Sequence, residues 1–430
     1  MLTAIVGFIC AFALIFFRVP IAIALAAVGF IGFLIMNGLT PAMSMMSLVT
    51  TGTTMTYHFA VIPLFILMGN LVAAAGISAE LYRAAQVYVG HRRGGLAVAT
   101  ILSCGGFAAV SGSSVATAVT MGRISIPSMQ AYGYSDRLSA ATVAAGGTLG
   151  ILIPPSLIMV IYGVITETHI GKLFAAGIIP GLIGIAGYTL AIQWAVRRDA
   201  GDSTRAERAS TRERLVALSR VWKVALLFVL VLGGIYSGWF TATEAGGVGA
   251  AGALLLALAG RLNRDALLHA FAETVKTTAM LFAMIIGASI FKEFINYSGA
   301  HTTILELVDA SSVAPFLAIL CICLVYVILG CVLDSLAMIL LTLPMFFPIV
   351  VGLGYDPVWF GILVVILVEL GLITPPIGMN LFIVRAIAPQ IPLGQIMRGI
   401  VPFVVADIGR VTLLALIPAL SLFLPNLLFN

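Results

Sequence analysis

Apolar runs long enough to cross the roughly 30 Å hydrocarbon core of a bilayer, at about 17–25 residues each, recur from one end of this chain to the other. No other feature narrows the fold so far. A backbone in that water-free slab must satisfy its own N–H and C=O groups, which open sheets and irregular loops cannot do. The chain is therefore read as an all-α polytopic membrane protein with the lipid bilayer as its main partner. Composition agrees: 61% of the 430 residues are hydrophobic and 9% charged, too few charges to coat a soluble core of this size. A cytoplasmic enzyme, a secreted domain and a nucleic-acid binder are excluded together. The first run, residues 1–17, has no basic lead and no small-residue cleavage site before Arg18, and so reads as a retained helix rather than a signal peptide. The five cysteines (Cys10, Cys104, Cys321, Cys323, Cys331) lie within apolar runs without zinc-ligand spacing, and are expected to be buried packing residues.

Ten crossings and two re-entrant hairpins account for the runs. The crossings are placed at 1–17, 19–36, 58–79, 138–165, 173–196, 224–240, 243–259, 274–295, 358–384 and 400–424, and the hairpins at 96–122 and 314–350. With the N-terminus outside, all of the 22 basic residues except Lys172, Lys292 and Arg410 fall on the inner side, the positive-inside bias expected of a plasma-membrane protein. Five crossings precede the polar stretch at 197–223, so the two halves run in opposite directions. That stretch (RRDAGDSTRAERASTRERLVALSRVWK) reads as a solvated cytoplasmic linker with an amphipathic helix along the surface. It divides an N-terminal repeat, 1–196, from a C-terminal one, 224–430.

The halves align at an offset of 221 residues. Ser114 meets Ser335, Pro127 meets Pro348, Gly133 and Tyr134 meet Gly354 and Tyr355, Leu149 and Gly150 meet Leu370 and Gly371, and Pro154-Pro155 meets Pro375-Pro376. One inserted residue later, Gly177 and Pro180 meet Gly399 and Pro402. Apolar sequence produces Leu, Val and Ala identities by chance, but prolines and glycines in one register require one backbone path. Inverted repeats of this kind characterise secondary transporters, whose substrate and ion sites lie near the midplane on interrupted helices.

The interruptions are in the sequence. GGTLGILIPPS (146–156) breaks the helix at 138–165, and ELGLITPPIGMN (369–380) breaks the one at 358–384. Each proline removes an N–H and frees carbonyls upstream, which suits a cation. The hairpin tips are also paired: SGSSVATAVT (111–120) places Ser113 opposite Asp334 of LDSLA (333–337). Helix N-termini at a Ser/Gly tip suit an anion, and hydroxyls with carbonyls suit Na⁺. Small residues also serve close helix packing, but that does not require them at two symmetry-related places, one beside an acid. These considerations select Ser113, Ser114, Ser335 and Asn380 for substrate, and Ser113, Ser114, Gly146, Thr148, Pro154, Asp334, Thr374 and Pro375 for Na⁺; no transition metal and no organic cofactor is indicated.

At these residues the chain resembles the large permease subunit of tripartite ATP-independent periplasmic (TRAP) transporters. The likeness covers nearly the whole chain and rests on RVPIAIALAAVGF, VIPLFILMGNLVAAAGIS, GSSVATAVTMGRISIPSM, GGTLGILIPPS, IYGVITETHIGKLFAAGIIPG and ELGLITPPIGMNLF. The resemblance implies an elevator-type ion-transporter fold in which both hairpins and both broken helices move as one body, driven by a Na⁺ gradient. It further implies a small four-helix membrane subunit, and a periplasmic binding protein that delivers a C4-dicarboxylate, sialic acid or other carboxylate. A stand-alone carboxylate carrier without a binding protein has the same broken-helix physics.

Among the remaining ionisable groups, Asp334 is read as binding Na⁺ or repelling the wrong substrate, and Glu369 as fixing local backbone or sensing a proton, since an ionisable group at membrane depth needs a role. Glu244 in TATEAGG is read as a helix cap. His58, His91, His169, His269 and His301 are scattered, and no HExxH, GxSxG or Walker A sequence is present, which argues against an enzyme and against ATP-driven transport. A non-transporting scaffold does not need polar breaks at two symmetric depths.

Overall fold

The computed structural model describes residues 2–198, 208–260, 262–300, 302–303 and 315–429, and those residues form 19 α-helices without a strand. The helices of the N-terminal half are α1 (Leu2–Phe16), α2 (Ile21–Asn37), α3 (Leu39–Met55), α4 (Val61–Ala74), α5 (Ile77–Val89), α6 (Gly95–Ser111), α7 (Ser114–Ala131), α8 (Asp136–Thr148), α9 (Leu157–Thr166) and α10 (Ile170–Arg198). Those that follow are α11 (Thr211–Tyr236), α12 (Ala242–Ala259), α13 (Arg264–Tyr297), α14 (Pro315–Gly330), α15 (Ser335–Gly352), α16 (Pro357–Ile373), α17 (Met379–Ile387), α18 (Leu393–Leu416) and α19 (Ala419–Phe429). Seven helical segments among the described residues are long and apolar enough to cross a membrane unbroken.

The repeat is visible in where helices begin. α7 and α15 start at the aligned residues Ser114 and Ser335, α8 and α16 at Asp136 and Pro357, and α9 and α17 within one residue of alignment at Leu157 and Met379. Their N-caps come from the same chemistry: Ser113 and Asp334 accept the backbone N–H of Ala116 and Ala337, and Ser135 and Asp356 those of Leu138 and Val358.

The direction of each half follows from which ends meet. Leu96 N–H donates to Tyr134 Oη, a side chain on Gly94 would meet that of Val196, and one on Gly399 the Arg137 carbonyl. The starts of α6, α8 and α18 therefore share one side with the end of α10. At the other side Tyr162 Oη donates to the Pro357 carbonyl at the start of α16, and Trp359 Nε1 donates to the Leu414 carbonyl near the end of α18. So α10 finishes where its equivalent α18 begins, and α8 and α16 start on opposite sides: the repeat is inverted. The first side carries Arg92, Arg93, Arg137, Arg197, Arg198 and Arg398.

Three helices differ from the sequence reading. α3 occupies a stretch between two crossings to which the sequence reading assigned no element; its Thr- and Met-rich residues are largely exposed, as befits an interfacial rather than a spanning helix. α5, also missed, is amphipathic and packs on α6 and α11. The last crossing is not continuous over 400–424: α18 ends at Leu416, and α19 turns back so that Phe429 rests on His169 at 5.2 Å and Tyr236 at 6.2 Å. Of the stretch 197–223, residues 199–207 lie outside the described residues; Ser210 and Glu213 form a capping box, and the amphipathic part is the beginning of α11. Cys10 and Cys321 are exposed on the apolar surface rather than buried, whereas Cys104 and Cys323 are in the core.

Two groups of helices surround the paired motifs. α2 and α13 cross closely enough that a side chain on Gly29 would meet the Phe291 backbone at 2.7 Å, and α13 and α12 both pack on α4. Against this frame sit α6–α9 and α14–α17, flanked by α10 and α18.

Candidate functional site

Each hairpin tip rests on the broken helix of its own half, and a glycine at the aligned position makes room for it. A side chain on Gly150 would meet the Ser113 carbonyl at 2.6 Å and Thr117 Oγ1 at 2.7 Å; on the aligned Gly371 it would meet the α-carbon of Gly330 at 2.5 Å. The first tip turns at Gly112, whose φ of 58° is left-handed, and it lies over the Pro155 carbonyl. In the second, Gly378 N–H donates to the Cys331 carbonyl at 3.3 Å. The Pro154-Pro155 and Pro375-Pro376 bonds are both cis.

The breaks leave carbonyls without a helical donor, and the chain answers some of them locally. Ser156 caps α9 and its hydroxyl donates to the Ile151 carbonyl. Thr374 Oγ1 donates to the Leu370 carbonyl at 2.6 Å and Thr148 Oγ1 to that of Ala145 at 2.7 Å. The Leu372 and Thr374 carbonyls crowd Gly378, within 3.2 and 3.1 Å of where its side chain would begin. A concentration of backbone oxygens at a helix break is a donor set suited to a hard monovalent cation rather than to a transition metal. Among the described residues no group of three His, Cys, Asp or Glu side chains is disposed to hold a metal.

The two halves meet through Asn380. Ser114 Oγ donates to Asn380 Oδ1 at 3.0 Å, and Asn380 Nδ2 donates to the Ala144 carbonyl at 3.1 Å. All three residues are buried, and Gly147 leaves the amide its space, with Nδ2 3.2 Å from where a side chain there would begin. The residues selected from the sequence thus fall into one neighbourhood with distinct duties. Ser113 and Asp334 cap helices, Ser114 and Asn380 bridge the repeats, and Ser335 is half-buried at the second tip. Thr148, Thr374, Pro154 and Pro375 belong to the breaks; Gly146 faces Cys104 of α6 and serves close packing there.

Burial separates the halves. Pro154, Pro155 and Ser156 are buried, while the aligned Pro375 is half-buried and Pro376 and Ile377 are exposed, together with Val332 and Met379.

A further polar cluster lies beside both breaks. Thr148 Oγ1 and Tyr188 Oη are 3.0 Å apart, Tyr188 Oη donates to Asp407 Oδ2 at 2.6 Å, Asp407 Oδ1 is 2.7 Å from Arg410 Nη2, and the same Nη2 donates to Glu369 Oε2. The sequence reading weighed Glu369 and set Arg410 aside as a basic residue within a helix; it missed Tyr188 and Asp407. The signal was the repeat itself. Thr148 aligns with Glu369 at the 221-residue offset, and Tyr188 aligns with Arg410 once the inserted residue is counted.

Comparison with known proteins gives a consistent result. The family described as tripartite ATP-independent periplasmic transporter, DctM component, matches residues 8–420. A C4-dicarboxylate TRAP transporter large permease of Pseudomonas aeruginosa is 39% identical, with 87% of each chain aligned. A sialic acid TRAP transporter large permease of Vibrio cholerae is 34% identical over 85% of this chain and 86% of its own. The crystal structure of the YdaH transporter of Alcanivorax borkumensis superposes with a TM-score of 0.61 at 17% identity, covering 89% of each chain, a likeness of fold.

Proposed function

This chain belongs to the DctM-component family of TRAP transporters, as a multi-pass permease of the bacterial inner membrane, and from that premise we propose that it imports an organic acid together with Na⁺ by an elevator movement. The observation that carries the reading is that each tip rests on the break of its own half and that the first tip and the second break are joined across the repeats by Ser114, Asn380 and the Ala144 carbonyl. In this reading two helix N-termini, at Ser114 and Ser335, and two sets of displaced carbonyls serve one site. The N-termini suit a carboxylate and the carbonyls suit Na⁺.

In this reading Ser113, Ser114, Ser335 and Asn380 contact substrate. Carbonyls from Gly146 to Pro154 and about Thr374 and Pro375, with Ser113, Ser114, Thr148 and Asp334, hold Na⁺. The cation and the anion offset each other's charge, so the loaded body crosses the low-dielectric barrier at lower cost than either ion alone. α6–α9 and α14–α17 form the moving body; α1, α2, α4 and α11–α13 form the frame, which also receives a small four-helix subunit. A periplasmic binding protein delivers the acid, and the carboxylates named for the relatives set the substrate class to screen first.

The test is uptake into proteoliposomes holding this chain, its small subunit and a loaded binding protein. Accumulation of a labelled carboxylate should require an inward Na⁺ gradient. Undiminished uptake with K⁺ or choline in place of Na⁺, at fixed pH, overturns the coupling.

A further inference from the structure

The Tyr188–Asp407–Arg410–Glu369 cluster belongs to neither set of site residues, and its charges do not balance. Glu369 and Tyr188 have 0% of their surface exposed, Asp407 1% and Arg410 3%. Asp407 lies about 21 Å from the start of α18, whose 24 residues span about 36 Å, so the cluster sits near mid-membrane. The groove of about 630 Å³ between α10 and α18 that it floors is otherwise lined by apolar side chains, among them Leu190, Trp194, Val401, Val405 and Leu413. Two carboxylates and one guanidinium leave a net charge of −1, and an uncompensated charge in such surroundings is removed by binding a proton.

The contacts say which carboxyl takes it. Asp407 accepts the Tyr188 hydroxyl on Oδ2 and has Arg410 Nη2 at ion-pair distance, 2.7 Å, from Oδ1, so a hydroxyl donor and a cation both favour its ionised form. Glu369 has Arg410 alone, on Oε2, and among the described residues its buried Oε1 has no hydrogen-bond partner. The other ionisable groups acting on Glu369 from the helices around it are Arg410, Asp407 and Tyr188. We propose that the cluster is a proton-binding site at the repeat axis, in which Glu369 carries the proton while Asp407 stays ionised against Arg410. Protonation takes the cluster from −1 to 0 without breaking a contact. The neutral cluster ties the break after Thr148 to that after Glu369 through aligned residues of α10 and α18.

Infrared difference spectroscopy on the full chain in lipid nanodiscs tests this without reliance on transport. At neutral pH the parent should show the carbonyl stretch of a protonated, buried carboxylic acid, shifted in D₂O and absent from Glu369→Gln. Asp407→Asn should also abolish the band, because Glu369 then becomes the sole counter-charge of Arg410 and ionises. Both variants keep the cluster neutral and should elute as the folded parent does. A parent spectrum with no acid band at neutral pH overturns the proposal, as does a band that survives Glu369→Gln or Asp407→Asn. Should a variant fail to fold, the parent titrated through neutral pH decides by itself: the band must persist where exposed carboxyls are ionised.

Discussion

The bridge between Ser114 and Asn380 lends itself to a quantitative test, because both partners are buried and each bond is defined. Interhelical hydrogen bonds within membranes contribute about 0.6 kcal/mol on average and about 1.7 at most. Asn380→Ala removes two, to Ser114 and to the Ala144 carbonyl, and should destabilise the fold by about 1.2 kcal/mol plus the effect of the space vacated. Ser114→Ala removes one, about 0.6 kcal/mol. The double variant cannot lose the Ser114 bond twice, so the cycle isolates a coupling of about 0.6 kcal/mol from which the single-site packing effects cancel. Unfolding by SDS in mixed micelles, followed through tryptophan fluorescence, measures all four proteins. The buried Trp359 of α16 reports on the same half as Asn380. If the two substitutions add to within about 0.3 kcal/mol, they do not share an interaction and the halves are not joined here.

Reporter fusions should place both termini in the periplasm and the 197–223 segment in the cytoplasm; a C-terminal reporter active in the cytoplasm contradicts the topology. Gly29→Leu should cost about 1–3 kcal/mol by forcing α2 from the Phe291 backbone, whereas Gly52→Ala, where a side chain meets nothing within 4 Å, should be neutral or slightly stabilising in the same unfolding assay. In a background without native cysteines, Gly69→Cys with Ser111→Cys joins α4 to the first tip, where Gly69 lies against the Ser111 backbone. The oxidised protein should stop transporting and recover with reductant; high crosslink yield at the parent rate of uptake contradicts an elevator.

Much of this architecture was legible because membrane insertion leaves few choices. Hydropathy located most of the helices long enough to span, and Pro, Gly and Tyr coincidences aligned the repeats. Those residues are informative since each dictates a backbone path that an apolar run cannot. The helices missed, α3 and α5, lie where that logic is silent: α3 is too polar to be read as a span, and the amphipathic face of α5 is defined only by packing on α6 and α11. The break in the last crossing at Ile417 was hidden for the opposite reason, because 400–424 stays apolar throughout and the turn is set by the seat that His169 and Tyr236 offer to Phe429. Around the tips and breaks, the motifs singled out residues that the structure joins, such as Ser114 and Asn380, but not which residue partners which. That Ser114 would reach Asn380 rather than Ser335 depends on how the halves pack, which hydropathy does not encode. Arg410 looked like a stray charge because its partners, at 369 and 407, lie on two different helices.

The difference in exposure between the aligned breaks has its origin in the frame rather than in the motifs. Both halves carry a close glycine and a Pro-Pro at aligned positions, although the tips themselves differ, SGSS against VLDS. The cover differs too. α4 lies against the first tip, where a side chain on Gly69 would begin 3.1 Å from the Val110 and Ser111 carbonyls, and α6 and α10 close over the first break. The second tip and break leave Val332, Pro376, Ile377 and Met379 exposed. A site built from near-equivalent halves can be open on one side only if a non-equivalent element decides which half is shielded, and here that element is the α4 face of the frame. On the elevator movement proposed above, access would change as the paired body shifts along α4, without remaking either tip. The bridge through Asn380 would then travel with the body, since all of its partners lie within α7, α8 and α17.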